Sequence, residues 1–161
     1  RPPRSTLDRS SAASDVYKRQ VNKFIIYKPD LCDQSLLKKD LSKIVKKSTE
    51  IIISVCKQCG NNFLPLIFQT KNMKNALSLL NDDEEQFAFD TDAEKYFGYD
   101  ELDNKSSTTI ITGPESGFSD EELKLINNNK IKIRYLGQNI LRAETAPIFV
   151  SSIIRNQFGR I

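Results

Sequence analysis

The chain has 161 residues, of which 39% are apolar and 28% are charged, and its formal net charge is +3. This length suits one domain with a sizeable core, and no run approaches the roughly 18 consecutive apolar residues of a membrane-spanning helix. The composition argues against a membrane protein, and we expect a soluble cytoplasmic domain. The net charge is too small to indicate a nucleic-acid partner by itself.

Strand and helix patterns alternate along the chain after residue 20. In chain order they are strand 24–27, helix 37–59, strand 64–68, helix 73–80, strand 86–89, strand 108–112, helix 119–127, strand 131–136 and helix 144–158. Gly60 is a typical stop for the first helix, and Ser119 with Glu122 forms a capping box at the start of the third. The alternation predicts an α/β fold with a mostly parallel sheet flanked by helices, in which ligands bind at the carboxyl ends of strands.

Residues 1–20 differ from the rest because they show almost no apolar periodicity. They resemble translated adaptor or linker sequence, and a disordered natural tail is the alternative. We therefore predict that the folded domain comprises residues 21–161.

Cysteines and basic residues offer two further candidate sites. Cys56 and Cys59 form one C-x-x-C pair without a second pair, and the chain has no histidine, so we expect no metal site. Basic residues crowd one predicted helix and alternate along one predicted strand, and either surface can meet a phosphate backbone unless both are ordinary solvated faces. They are Lys38, Lys39, Lys43, Lys46 and Lys47 on the helix, and Lys130, Lys132 and Arg134 on the strand.

Two glycine-bearing loops connect strands to helices. In the first, residues 111–119, Gly113 and Gly117 permit close approach of the backbone to a ligand and Pro114 stiffens the turn. The first loop is not a phosphate-binding P-loop, and a tight turn without a ligand is its alternative reading. In the second, residues 136–146, exposed amides at Gly137 beside apolar side chains suit an adenine ring, although Arg142 and Glu144 can instead form a structural ion pair.

Together the two loops, Gly113-Pro114-Glu115-x-Gly117-Phe118-Ser119 and Leu136-Gly137-x-x-Ile140-Leu141-Arg142-x-Glu144-Thr145-Ala146, resemble the signature motifs of the ribosomal small-subunit RNA (uracil-N3)-methyltransferases. These enzymes belong to the knotted SPOUT superfamily and use S-adenosylmethionine. The resemblance extends from residue 24 to the C-terminus. It implies a C-terminal trefoil knot, a homodimer, and methyl transfer to N3 of a uridine in 16S ribosomal RNA.

The resemblance also implies roles for individual residues. The cofactor-binding residues are Gly113, Pro114, Glu115, Gly117, Leu136, Gly137, Ile140 and Leu141. The catalytic residues are Arg142, Glu144 and Thr145. Uracil N3 carries a proton at neutral pH, so Arg142 would stabilise the developing anion or bind a phosphate, and Glu144 would accept a proton or orient Arg142.

The chain departs from the family pattern at three positions and lacks part of the family's length. Ser116 replaces the usual second glycine of the first loop, Asn139 stands where arginine is usual, and Pro147 lies early in the closing helix. An N-terminal RNA-binding barrel domain, and the first strand and helix of the methyltransferase domain, have no counterpart here. We therefore expect a truncated enzyme; the alternatives are a related enzyme with another RNA target and a catalytically inactive fragment.

Overall fold

Five strands and four α-helices alternate along residues 21–31, 40–60, 63–81, 84–102 and 107–157, the parts of the chain that the computed structural model describes. In chain order they are β1 (Lys23–Ile26), α1 (Leu41–Cys59), β2 (Leu66–Gln69), α2 (Met73–Leu77), β3 (Glu85–Phe89), β4 (Thr108–Thr112), α3 (Asp120–Asn128), β5 (Lys132–Arg134) and α4 (Thr145–Gln157). A short 3-10 helix covers Tyr99–Glu101.

All strand pairs described are parallel, which confirms the predicted α/β architecture. They form two sheets: β1 pairs with β2, and β3 lies between β4 and β5. In the larger sheet Phe87 is in register with Ile110 on one side and with Lys132 on the other. Strands β1 and β4 each pair on one side. Among the described residues no hydrogen-bonded ladder joins the two sheets.

Helices cover both faces of the larger sheet because successive side chains of β3 point in opposite directions. On one face Phe87 and Phe89 pack with Val150 of α4. On the other face Ala88 packs with Met73 of α2 and Ile126 of α3. This arrangement leaves the carboxyl ends of β3, β4 and β5 together at one edge.

Helix α1 covers one face of the smaller sheet. Its buried residues Ile52, Val55 and Cys56 pack against Phe24 of β1 and Ile67 of β2. Its N-cap, Asp40, accepts a hydrogen bond from the backbone amide of Ser42, and Gly60 at its C-terminus has a left-handed φ of 69°. The predicted stop at Gly60 is confirmed, since a left-handed residue at this position ends a helix.

Three predicted elements are longer than the observed ones. Strand β2 begins at Leu66, two residues after its predicted start. Helix α2 ends at Leu77, and residues 78–80 form turns in which the Leu80 amide donates to the Leu77 carbonyl. Strand β5 ends at Arg134 because Tyr135 instead makes an isolated bridge with Tyr96. Residues 1–20, Cys32, Lys38, Lys39 and the predicted helix end at 158 lie outside the described residues.

The described residues also bear on membrane and metal binding. Among these residues no helix is both long enough and apolar enough to cross a membrane. Within the same residues no group of three or more His, Cys, Asp or Glu side chains is placed to hold a metal ion.

Candidate functional site

The two glycine-bearing loops flank the end of the central strand of the larger sheet. The first follows β4 and the second follows β5, and β3 lies between these strands. The amide of Asp90, just past β3, donates to the carbonyl of Arg134 at the end of β5, with N and O 3.0 Å apart. The structure therefore brings both predicted loops to one edge, as expected for a ligand site of a parallel sheet.

The first loop is a tight turn anchored by a buried ring. Gly117 has a φ of 75°, and its amide donates to the Pro114 carbonyl at 3.0 Å. A Cβ on Gly113 would lie 3.2 Å from the ring of Phe118, which is buried in the core. A side chain would crowd the Phe118 ring at Gly113 and strain the backbone at Gly117, whereas Glu115 and Ser116 at the tip are exposed.

The second loop is more open than the first. Gly137 is exposed and has a φ of 145°, which L side chains rarely adopt, and a Cβ at this position would meet nothing within 4 Å. Leu136 is half-buried against the Phe87 cluster, and Leu141 is also half-buried. Ile140 is 80% exposed, so the loop presents two partly buried apolar side chains and one solvent-facing one.

The three predicted catalytic residues lie where the second loop enters α4. Arg142 Nη1 and Glu144 Oε1 are 4.0 Å apart, and the Arg142 side chain is 72% exposed. The Arg142 carbonyl accepts hydrogen bonds from the amides of Thr145 and Ala146, so its backbone starts the helix while its side chain remains free to reach a ligand. Pro147 lies within the first turn of α4, where a missing amide costs little.

A polar cluster lies behind the first loop. The sequence predicts only one part of it, the capping box of Ser119 and Glu122. The Glu122 carboxylate is buried and accepts from the amides of Ser119, at 3.0 Å, and Asp30, at 3.3 Å. Asp30 also accepts from the Ser119 hydroxyl at 2.8 Å. Sequence patterns identify the Ser119–Glu122 pair because it is local, but they carry no signal for Asp30, which is 89 residues away from Ser119.

Tyr27 lies beside this cluster at the end of β1. Its hydroxyl is buried and makes no hydrogen bond within the described structure. Burial, with a contribution from the carboxylates of Glu122 and Asp30, raises the pKa of Tyr27. The side chain therefore remains neutral and packs against the core that also holds Phe118.

Two of the three basic residues predicted along this strand pair with acidic side chains, and the third, Lys130, is exposed. Lys132 pairs with Glu85 at 3.2 Å and lies over the Phe87 ring, 5.1 Å from its centroid. Arg134 makes a two-pronged ion pair with Glu101, and both side chains are mostly buried. These cations neutralise internal acids, whereas Lys43, Lys46 and Lys47 of α1 are exposed.

The parallel fold and the two adjoining glycine-bearing loops define an α/β protein whose loops lie at the carboxyl ends of its strands, where such folds bind ligands. The chain belongs to the RNA methyltransferase domain family, whose model matches residues 12–155. The match begins within the segment 1–20, so the predicted domain start at residue 21 stays a prediction.

Named relatives agree with this family. The chain is 32% identical over 111 residues to ribosomal RNA small subunit methyltransferase E of Mesomycoplasma hyopneumoniae, covering 69% of this chain and 48% of the relative. It is 30% identical over 135 residues to methyltransferase E 1 of Borreliella burgdorferi, covering 81% and 55%. The chain therefore spans about half the length of these curated relatives.

Solved structures share the fold. A ribosomal RNA small subunit methyltransferase E from Neisseria gonorrhoeae, bound to S-adenosyl methionine, superposes with a TM-score of 0.80 at 20% identity, covering 94% of this chain and 62% of that one. A putative methyltransferase from Legionella pneumophila, in complex with the same cofactor, gives 0.76 at 24% identity, covering 92% and 61%.

Proposed function

We propose that this chain carries the cofactor site of an S-adenosylmethionine-dependent enzyme that methylates N3 of a uridine in small-subunit ribosomal RNA. The observation that carries the proposal is the pairing of the Gly113–Gly117 turn with the Gly137 loop at one sheet edge. Family membership and the names of the relatives support the reaction class. A related enzyme with another RNA target and an inactive fragment are the alternatives.

The chemistry of the two loops fits the cofactor. An adenine ring needs apolar contact on its faces and hydrogen bonds at its edge, and the half-buried Leu136 and Leu141 beside the exposed backbone of Gly137 offer both. Ile140, Gly113, Pro114, Glu115 and Gly117 complete the proposed set. When bound, S-adenosylmethionine supplies an electrophilic methyl group.

The residues at the start of α4 are proposed to act on the base. Uracil N3 lies on the Watson–Crick edge, so the target base has to be unpaired and its N3 proton removed. Arg142 is exposed and only loosely paired with Glu144, so it can move to stabilise the developing uracil anion or hold an RNA phosphate. Glu144, half-buried nearby, would accept the proton or orient Arg142, and Thr145 would donate a hydrogen bond to the base.

Three properties of the whole enzyme belong to the same proposal. They are a homodimer, a trefoil knot in the C-terminal half, and action in the cytoplasm, where ribosomal RNA is modified. The family resemblance of the two loops supports both the knot and the dimer.

Two glycines allow a matched test of the cofactor site. Gly117 and Gly60 have nearly equal left-handed φ values, 75° and 69°, and a Cβ on either would meet nothing within 4 Å. Alanine at either position should cost about 1 kcal/mol of folding free energy through backbone strain. Only Gly117 lies in the proposed cofactor loop.

We expect calorimetric titration of the wild-type chain with S-adenosylhomocysteine to show one saturable site per subunit. Gly117→Ala should weaken this binding at least about tenfold, and Gly60→Ala should leave it unchanged at equal loss of stability. Absence of binding by the folded wild type, or equal losses in the two variants, would contradict the proposed site.

A further inference from the structure

Two serines of the first loop are fastened to a segment that follows β1. The Ser116 hydroxyl donates to the Leu31 carbonyl at 2.5 Å, and the Ser119 hydroxyl donates to Asp30 Oδ2 at 2.8 Å. These bonds join residues 85 and 89 positions apart in the chain. We refer to Asp30, Leu31, Ser116 and Ser119 as the loop clasp.

The hydrogen-bond directions at Ser119 are mutually consistent. Its hydroxyl oxygen accepts from the Glu122 amide at 3.1 Å, and its one proton goes to Asp30. The Asp30 amide in turn donates to Glu122, whose carboxylate is 1% exposed. The start of α3 and the segment after β1 therefore form one bonded unit behind the loop.

Ser116 extends this unit to the loop tip. The tip is exposed, and besides the clasp its described backbone restraint is the Gly117 amide bond to Pro114. The Ser116 hydroxyl therefore adds a side-chain bond that ties the tip to the Leu31 carbonyl. A backbone held before the ligand arrives loses less entropy on binding than a mobile one.

We propose that Ser116 and Asp30 are positioning residues that hold the first loop in the shape that binds the cofactor. This inference rests on the proposed function, because it assigns the loop to that ligand. Neither side chain needs to touch the cofactor. Their effect would be to preorganise the backbone of residues 113–117.

Conservative and non-conservative variants separate positioning from stability. Ser116→Ala removes the tip bond and Ser116→Thr retains a hydroxyl. Asp30→Ala removes the acceptor for Ser119, and Asp30→Asn retains an amide oxygen that can accept. Ser78→Ala is the matched control, since the exposed Ser78 hydroxyl also donates to a backbone carbonyl, that of Asn75 at 2.9 Å, outside the loop.

The first readout is the dissociation constant for S-adenosylhomocysteine by calorimetry, beside the urea midpoint of unfolding. We expect Ser116→Ala and Asp30→Ala to weaken binding about three- to tenfold, the size of one net hydrogen bond. Ser116→Thr, Asp30→Asn and Ser78→Ala should bind within about twofold of wild type. A variant that loses stability but keeps its affinity for S-adenosylhomocysteine would show that the hydrogen bond stabilises the fold and does not position the loop.

The second readout is amide hydrogen exchange at Gly113 and at residues 115–117, in the free and ligand-bound protein. Exchange in the free Ser116→Ala variant should be faster than in wild type, and saturating ligand should restore it. If the wild type binds the ligand and both alanine variants bind it with the same affinity, the positioning role of the clasp is wrong and the proposed function stands. No binding by folded wild type would overturn the proposed function, and the clasp with it.

Discussion

Arg134 shows how one residue can be misassigned when its sequence neighbourhood is considered alone. Its alternation with Lys130 and Lys132 predicts a basic surface, yet Glu101 from a separate segment accepts hydrogen bonds from its Nε, at 2.6 and 2.7 Å, and from its Nη2. The hydrogen bond from Arg134 lowers the pKa of Glu101. Because both side chains are mostly buried, the pair belongs to the interior and not to an RNA surface.

Glu101→Gln should destabilise the fold by about 1.5 kcal/mol, because Arg134 would keep its charge in a partly buried site without a carboxylate. Urea denaturation at pH 7 measures the change. Glu121→Gln is the control, since its ion pair with Lys124 is exposed on both sides. That substitution should leave the midpoint unchanged. Equal midpoints for wild type and Glu101→Gln would contradict the structural role of the pair.

The same pair predicts a pH dependence. The pKa of Glu101 is lower in the folded protein than its ordinary value of 4.5, so its ionised form contributes stability above that value. The contribution is lost as the pH falls below 4.5 through the lowered pKa. The difference in unfolding free energy between wild type and Glu101→Gln should therefore be full at pH 7 and smaller at about pH 3. A difference that grows on acidification would be opposite in sign to this prediction.

The proposed roles of Arg142 and Glu144 are chemical. The Arg142 side chain is 72% exposed, so Arg142→Ala should leave the unfolding midpoint near that of wild type. Arg142→Ala and Glu144→Gln should each slow methyl transfer about a hundredfold, the ordinary effect of losing an acid–base or electrostatic group. The assay is single-turnover methylation of small-subunit ribosomal RNA by the full-length protein, with cofactor affinity measured in parallel. Near wild-type rates would show that neither group acts on the base.

At the scale of elements, Ser119 has two roles that sequence and structure reveal separately. The local capping box is predictable from the spacing of Ser119 and Glu122, and the structure confirms both of its hydrogen bonds. Ser119→Ala should destabilise α3 and lower the unfolding free energy by about 1 kcal/mol. Ser119→Asn, which keeps an acceptor for the Glu122 amide, should recover most of the loss. Thermal denaturation followed by circular dichroism measures both, and equal midpoints in all three proteins would contradict the cap.

Periodicity and turn residues predict the elements because those signals are local. Strand β4 at Thr108–Thr112 matches the predicted bounds, and α4 begins at Thr145, one residue from the predicted start. What sequence cannot supply is pairing between distant segments. The end of β5 depends on a bridge to Tyr96, and the clasp depends on Asp30 meeting Ser119, so neither follows from a residue's neighbours in the chain.

The sequence predicts the placement of the two loops of the candidate site but not the exposure of each side chain in them. Glycine spacing and the carboxyl-end rule bring the two loops together, as the structure confirms. The exposure of Ile140 was not predictable, because an apolar residue next to Leu141 in a glycine-bearing loop is interpreted from sequence as a wall of the pocket. Its surroundings depend on how the loop turns after Gly137, which is a property of the tertiary structure.

At the scale of the whole molecule, the two sheets are linked by few described bonds. Lys23 donates to the Leu79 carbonyl at 3.1 Å, and the Asp30 segment joins the start of α3. Tyr27 contributes apolar contact to the core around Met73 and Ile126. Within the described residues, the unit of β1, β2 and α1 therefore has its own small core and few bonds to the larger sheet and its helices.

This architecture predicts an order of local stability. Strand β3 is paired on both sides, and Phe87 and Ala88 are fully buried, so its amides exchange only when the larger sheet opens. Strand β2 is paired on one side, and Leu66 is 61% exposed, so the smaller sheet can open at lower cost. In native-state hydrogen exchange, amides of β3 should be the slowest, and those of β2 should exchange at least about tenfold faster.

The substitution Ile126→Ala tests this order of local stability by weakening the core of the larger sheet. Ile126 is fully buried in the core beneath α2 and α3, so its truncation should cost about 3 kcal/mol. Because opening of β3 follows unfolding of that core, its exchange should accelerate by the whole loss of stability, whereas exchange of β2 should change little. If the amide exchange rates of β2 and β3 rise equally, the two sheets open as one cooperative unit, although few bonds between them are described.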